Sequence, residues 1–335
     1  MSQKVLKFHV NLRLNTLLSE ANKERWRMLP VDSICQLRLP SADGTPGTAC
    51  GTINPTEMHV LCNCQAALQQ GRFTWRHNSV LLVLKSALIP HLRAIRDGTV
   101  VVPQPDKVQF RSASTGLPYN HGKSAPALQP QHLRDWLALA TDWTLTCDLP
   151  GDSFSYRNGT FPLNIAATNQ RPDILLVSEI AKAAICIELT VPKEERVQQS
   201  HDIKAAKYQQ LVDDAAANGW RLTVWPIEVG ARGFIARSTW TALRALAFGK
   251  ARAAYIKQQL EAVATRCSYY LFTARNHEVW DEVPLAWTAR SAQSSQIFVA
   301  AHNRELPAPF FLRCPARLLA GRCASFEAQS AQHFR

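Results

Sequence analysis

Arg171-Pro172-Asp173-Ile174-Leu175-Leu176-Val177 and Ala184-Ile185-Cys186-Ile187-Glu188-Leu189-Thr190-Val191-Pro192 are two short apolar runs, and each carries one carboxylate. A buried strand normally excludes charge, so Asp173 and Glu188 need a reason to stand there. The first run predicts a strand over residues 174–177 and the second a return strand over 184–191, with the turn at 179–183. Side chains alternate along a strand, which puts Ile185, Ile187 and Leu189 on one face and Cys186, Glu188 and Thr190 on the other. An antiparallel pair brings Asp173 and Glu188 to one end of a small sheet. Two carboxylates held together suit a hard cation such as Mg²⁺ (or Mn²⁺), which positions a phosphate and activates a water.

A helix is expected after Pro192. At about 100° per residue, Val197, His201, Lys204, Tyr208, Leu211 and Ala215 share one stripe, and Gly219 is a natural stop. Lys204 stands in the middle of that stripe, whereas Lys207 falls about 80° away from it. Lys204 is therefore the lysine expected to reach the carboxylates, where it orients the attacking water or offsets charge on the phosphate. Lys207 is left to meet a phosphate backbone. Tyr208 either adds a hydrogen bond or packs. The expected catalytic set is Asp173, Glu188, Lys204, Lys207 and Tyr208. A purely structural Glu188–Lys204 ion pair, with Asp173 opening a turn, explains the same residues equally well.

The rest of the chain fits a polyanion-binding protein. A 335-residue length allows one large or two modest domains, and 46% hydrophobic with 19% charged residues reads as globular. The net charge of +12 makes a polyanion the default partner class, with a simply basic soluble protein as the alternative. The nine cysteines are irregularly spaced, and no signal-peptide pattern precedes them. No run approaches the roughly 20 apolar residues of a membrane span. The expected setting is intracellular, nuclear if the protein is active, and neither secreted nor membrane-bound.

Upstream, Leu6, Val10, Leu14, Leu17 and Leu18 predict an amphipathic helix that ends before Pro30. Cys35, Cys50, His59 and Cys64 form a candidate zinc site, since thiolates and an imidazole suit tetrahedral Zn²⁺. A regular knuckle would place a second cysteine at position 38, where Arg38 stands, so Cys50 must substitute across a long loop. The basic and aromatic cluster Arg72, Trp75, Arg76 and His77 either stacks on bases and pairs with phosphates or anchors the next helix to a core. Pro90 is expected to end or kink that helix. Residues 98–130 read as a Pro/Gly/Ser-rich linker, the segment 132–140 as a short helix and 143–148 as a strand. Another helix is expected over residues 251–272.

Taken together, Arg171-Pro172-Asp173, Glu188-Leu189-Thr190-Val191-Pro192, Lys204-x-x-Lys207-Tyr208 and Pro226-Ile227-Glu228-Val229-Gly230-x-Arg232-Gly233 resemble the restriction-like endonuclease of non-LTR retrotransposons, a domain of the PD-(D/E)XK nuclease class. His59-x4-Cys64 with Gly71-Arg72-Phe73-Thr74-Trp75-Arg76-His77 is similar to the zinc knuckle and basic segment preceding that nuclease. The resemblance implies an α/β (α+β) fold: a small mixed sheet flanked by helices, in the order strand-strand-helix-strand-helix, with an N-terminal helical, zinc-knuckle-like segment. It also implies Mg²⁺-dependent DNA nicking, with the element's RNA as a further partner, Asp173 and Glu188 as metal ligands, Lys204 as the displaced motif lysine, and Arg171 and Lys207 beside the DNA. Thr190 stands where the commoner Glu-x-Lys form has its lysine. No Tyr/Phe-x-Asp-Asp polymerase motif occurs, which fits a descendant of the C-terminal end of such an element. The expected organisation is a helical and knuckle-like region (1–97), the linker (98–130), the nuclease domain (131–285) and a basic, poorly ordered tail (286–335). The alternative function is an inactive nucleic-acid-binding remnant.

Overall fold

The computed structural model describes residues 2–28, 33–40, 47–100, 136–156, 159–277 and 280, all within one compact unit, Met1–Ala292. Most of the expected linker, the first residues of the helix expected at 132–140, and the tail at 286–335 lie outside the described residues. The fold is mixed α/β. Strands β1 (Thr144–Cys147), β2 (Ile174–Ser178) and β3 (Ala183–Thr190) form an antiparallel meander, and β4 (Arg221–Glu228) joins β3 in parallel, giving a four-stranded mixed sheet in the order β1-β2-β3-β4. At the β2–β3 turn, the Ser178 hydroxyl accepts from the Ala181 N–H at 3.0 Å, Asp142 accepts from the Ile180 N–H at 3.1 Å, and Lys182 takes a φ of 45°. Pro226 is tolerated in β4 because an edge strand has one side free of ladder bonds.

The parallel connection from β3 to β4 runs through α5 (Val197–Lys207) and α6 (Gln209–Ala217). The sequence pattern reads as one helix here, and the structure breaks it at Tyr208. The expected buried stripe holds only for Tyr208, Leu211 and Ala215. None of the residues of α5 is buried. Its inward side is polar, because the sheet below it carries acids.

Both faces of the sheet are covered. Ile174, Leu176, Ile185, Ile187, Leu189, Trp225 and Ile227 belong to the larger core, which is closed by α4 (Arg72–Arg96), α7 (Arg237–Ala245) and α8 (Lys250–Thr273). Leu175, Ala184, Cys186 and Leu222 pack with Tyr208, Leu211 and Ala215 on the opposite face. The helix expected over 251–272 is α8. Helix α4 does not end at Pro90 but continues to Arg96, although a proline there removes one backbone donor. By length and composition α4 could cross a membrane, but half of its apolar window is buried in this core.

The N-terminal helix α1 (Gln3–Arg13) is present with its phase corrected. Val5, Phe8 and Leu12 are buried, whereas Leu6, Val10 and Leu14 are exposed. Phe8 sets that choice by packing against Tyr269 (5.3 Å) and Phe272 (5.8 Å) of α8. After α2 (Glu20–Arg25), a π-helical turn (His59–Asn63) and α3 (Gln65–Gln69) lead into α4. The loop after β4 turns at Gly233 with φ +88°, where a Cβ would stand 2.5 Å from Thr265 Oγ1 and 3.1 Å from the Glu261 carbonyl. Only glycine fits this approach to α8.

Candidate functional site

Register builds the site. Ile174 pairs with Ile187 and Cys147 with Ile174, so one further step sets Asp148, Asp173 and Glu188 in a row across three strands. The Asp173 N–H donates to Glu188 Oε2 at 3.3 Å, and the Leu189 N–H donates to Asp173 Oδ2 at 2.6 Å. The two carboxylates are thus locked to each other's strands. Glu188 is almost fully buried and is charge-compensated from the helices above it. Lys204 Nζ pairs with Glu188 Oε1, and Lys207 Nζ lies 3.8 Å from the same oxygen. Tyr208 donates to Glu188 Oε2 at 2.9 Å. Burial, reinforced by the negative charge of Glu188 and the bond to it, pushes the Tyr208 phenol well above its ordinary range. Tyr208 therefore acts as a fixed donor, and the break between α5 and α6 is what lets it point down.

His77 reaches the site from α4. Its Nε2 is 3.2 Å from Asp173 Oδ2 and 3.2 Å from the Leu189 carbonyl oxygen, and its Nδ1 is 3.1 Å from Asn78 Oδ1. Burial opposes charge on this imidazole, but the bond to and charge of Asp173, with the Asn78 and Leu189 contacts, raise its pKa overall. A cavity of about 480 Å³ opens here, lined among others by His77, Asn78, Asp148, Arg171 and Asp173. Arg171 is exposed and lies 3.6 Å from Asp148.

Two acids escape the sequence reading. Asp148 ends β1 beside the cavity, with its N–H donating to the Asp173 carbonyl at 2.9 Å. Glu228 is fully buried opposite Thr190, accepts from Ser238 and sits 3.0 Å from His201 Nδ1. Glu228 carries the signal that singled out Glu188, a carboxylate within an apolar strand, whereas Asp148 follows the alternating strand Thr144–Cys147 and carries no such signal. The buried Thr190 hydroxyl has no hydrogen-bond partner among the described residues.

The basic and aromatic cluster needs correction. Arg72, Trp75 and Arg76 are buried and cannot meet nucleic acid. Arg72 donates to the carbonyls of Ala274 (2.8 Å) and His277 (2.5 Å), capping the C-terminal end of α8 with positive charge. Arg76 donates to Ser268 at 3.2 Å and the Val191 carbonyl at 3.3 Å, and Trp75 packs against Tyr270 and Trp280. These three side chains form the seam between α4 and α8. His77 is the member of the cluster that reaches the acids.

Cys35, Cys50, His59 and Cys64 come together as a group able to hold a metal, with ligand atoms all within 4.8 Å of one another. Antiparallel bridges Ile34–Ile53 and Arg38–Ala49 fold the long loop back, so Cys50 does stand in for the cysteine missing at Arg38. In the π-helical turn, residues five apart are neighbours, which brings His59 and Cys64 onto one side. Cys35 and Cys64 sulfurs are 3.9 Å apart, and Cys50 Sγ is 3.6 Å from His59 Nε2. The contact with Cys35, together with His59, favours ionisation of Cys64 against the opposing effect of burial. Three thiols and one imidazole are the donor set of a structural zinc site. The described cysteines are all free thiols.

No family model matches the chain, and no curated protein matches it either.

Proposed function

We propose that this protein is a metal-dependent DNA endonuclease of the PD-(D/E)XK class, derived from the restriction-like endonuclease of a non-LTR retrotransposon. The observation that carries this reading is Asp173 and Glu188 side by side on adjacent strands, with Lys204 on Glu188. The order β2–β3–α5/α6–β4–α7 is also the strand-strand-helix-strand-helix order that the sequence resemblance implies. The donors fit a hard cation, Mg²⁺ or Mn²⁺. Asp173 and Glu188 offer carboxylate oxygens at one sheet end, and the Leu189 carbonyl faces the same place through its contact with His77. When bound there, such an ion polarises a phosphate and lowers the pKa of a water.

The chain's own groups divide the remaining work. Lys204 offsets charge on the phosphate and orients the attacking water. Tyr208 and the Asp173 N–H hold Glu188 in one rotamer. The exposed Arg171 and half-exposed Lys207 contact the DNA backbone, the role now withdrawn from Arg72, Trp75 and Arg76. The Cys35/Cys50/His59/Cys64 group binds Zn²⁺ as a knuckle-like structural site.

The test is nicking of supercoiled plasmid in Mg²⁺ or Mn²⁺ by wild type, Asp173→Ala and Glu188→Ala. Each substitution is expected to reduce cleavage at least about a hundredfold. Equal inertness of all three proteins removes the enzyme reading. One observation favours the second reading, a nucleic-acid-binding remnant that does not cut: both Glu188 oxygens already have partners on this chain. DNA affinity that falls with salt and survives both substitutions, without cleavage, would decide for it.

A further inference from the structure

We propose that His77 Nε2 is a direct ligand of the ion held by Asp173 and the Leu189 carbonyl, giving this site a nitrogen donor and a preference for Mn²⁺ over Mg²⁺. The inference rests on the metal-dependent reading of the same site. Its geometric basis is convergence from three elements. Helix α4 supplies Nε2, the start of β2 supplies Asp173 Oδ2, and β3 supplies the Leu189 carbonyl oxygen, with Nε2 at 3.2 Å from each oxygen. Adjacent donors around a six-coordinate ion with bonds of about 2.1 Å are about 3 Å apart. The observed spacings are close to those of ligand edges, so an ion entering here needs only small movements of the side chains.

The other ring nitrogen supports the assignment. Nδ1 lies 3.1 Å from Asn78 Oδ1, an acceptor that keeps a proton on Nδ1 when an ion replaces the proton that Nε2 shares with Asp173 Oδ2 and the Leu189 carbonyl. Metal-binding histidines are held in this way, by a hydrogen bond from the nitrogen remote from the ion. His77 and Asp173 side chains are 24% and 15% exposed, enough for an ion to arrive through the adjoining cavity of about 480 Å³. Imidazole suits first-row transition ions better than Mg²⁺, which takes oxygen donors and keeps its waters.

The experiment is pulsed electron paramagnetic resonance of Mn²⁺ bound to the zinc-loaded full-length chain, in which zinc already occupies His59. The expected spectrum contains the nitrogen modulation of a directly bound imidazole. That modulation changes to the ¹⁵N pattern on ¹⁵N-histidine labelling, disappears in His77→Ala and persists in His201→Ala. The Mn²⁺ dissociation constant is expected to rise about tenfold or more in His77→Ala. The labelled wild type reports coordination with no substitution, so a folding defect in His77→Ala leaves the test intact. Mn²⁺ binding that is lost in Asp173→Asn but shows no histidine nitrogen overturns the ligand role and leaves the nuclease reading standing. Mn²⁺ binding indifferent to Asp173→Asn overturns both.

Discussion

Lys204 and Lys207 both approach Glu188, yet they stand in different surroundings. The Lys204 side chain is 25% exposed and pairs closely with Glu188, whereas that of Lys207 is 44% exposed and lies 3.8 Å from the carboxylate. Lys204→Gln is expected to reduce plasmid cleavage about a hundredfold or more with little change in DNA affinity. Lys207→Gln is expected to change cleavage at saturating DNA less than about threefold. It should weaken DNA binding and reduce the slope of log affinity against log salt by about 1. Single-turnover cleavage and binding isotherms at several salt concentrations separate the two, and equal effects of the two substitutions on both measurements would contradict this division. At this scale the sequence was informative wherever periodicity made a residue conspicuous. Asp173 and Glu188 interrupt strand patterns, and Lys204 interrupts a helical stripe. Glu228 interrupts a strand pattern too, but it lies beside Val229 and Gly230, where the pattern reads as a loop motif, and its partners His201 and Ser238 come from distant elements. Tyr208 was placed correctly on a stripe, but its orientation depends on a helix break that hydrophobic spacing does not encode.

Helix α4 shows how a phase extended a little further corrects a functional guess. Its buried residues Ser79, Val80, Leu84, Ala87 and Leu88 recur at helical spacing, and stepping back along the same stripe reaches Arg76, Trp75 and Arg72. Charge suggested a surface, while periodicity assigned these residues to the seam with α8. Arg72→Met keeps most of the volume but leaves the Ala274 and His277 carbonyls without their donor, so it is expected to destabilise the fold by about 1–3 kcal/mol. DNA affinity of the folded variant is expected to match wild type. Urea unfolding and a binding isotherm check both halves, and a variant of unchanged stability with weakened DNA binding would restore the phosphate-contact role. In α1, by contrast, Leu6, Val10 and Leu14 form as good a stripe as Val5, Phe8 and Leu12. The choice between them is made by α8, which is remote in sequence and invisible to local periodicity.

Across the whole molecule, the sheet order follows from its local strand pairs, whereas the Cys₃His group depends on closing the long loop between Cys35 and Cys50. Loop closure costs entropy that grows only slowly with length, so the missing cysteine at Arg38 does not abolish the ligand set. The small core around Cys35, Leu37, Cys64, Ala66 and Ala67 is too limited to hold that hairpin strongly by burial alone, so a metal on the proposed zinc site would add most there. A cavity of about 460 Å³ lined by Cys35, His59 and Cys64 would give such an ion a way in. Zinc at about a thousand times its dissociation constant adds roughly 4 kcal/mol to a state that binds it only when folded. For a unit of this size that corresponds to a melting temperature on the order of 10 °C higher than after chelation. Cys50→Ala is expected to lower zinc content below one ion per chain and to bring melting close to that of the chelated wild type. Because zinc takes thiolates, protons compete with it for its sulfur ligands, and the zinc-dependent part of the stability is expected to shrink as pH falls. Zinc analysis with melting curves at pH 8 and pH 5.5 measures both effects. A melting temperature that ignores chelator at pH 8 would mean the four side chains pack without a metal. Loss of nuclease activity on chelation with EDTA would not discriminate, since EDTA would also strip the ion proposed for the acid site. The chelator must therefore strip zinc in the presence of excess Mg²⁺, and cleavage that falls only in step with melting would identify the Cys₃His group as a support for the fold rather than a part of the reaction.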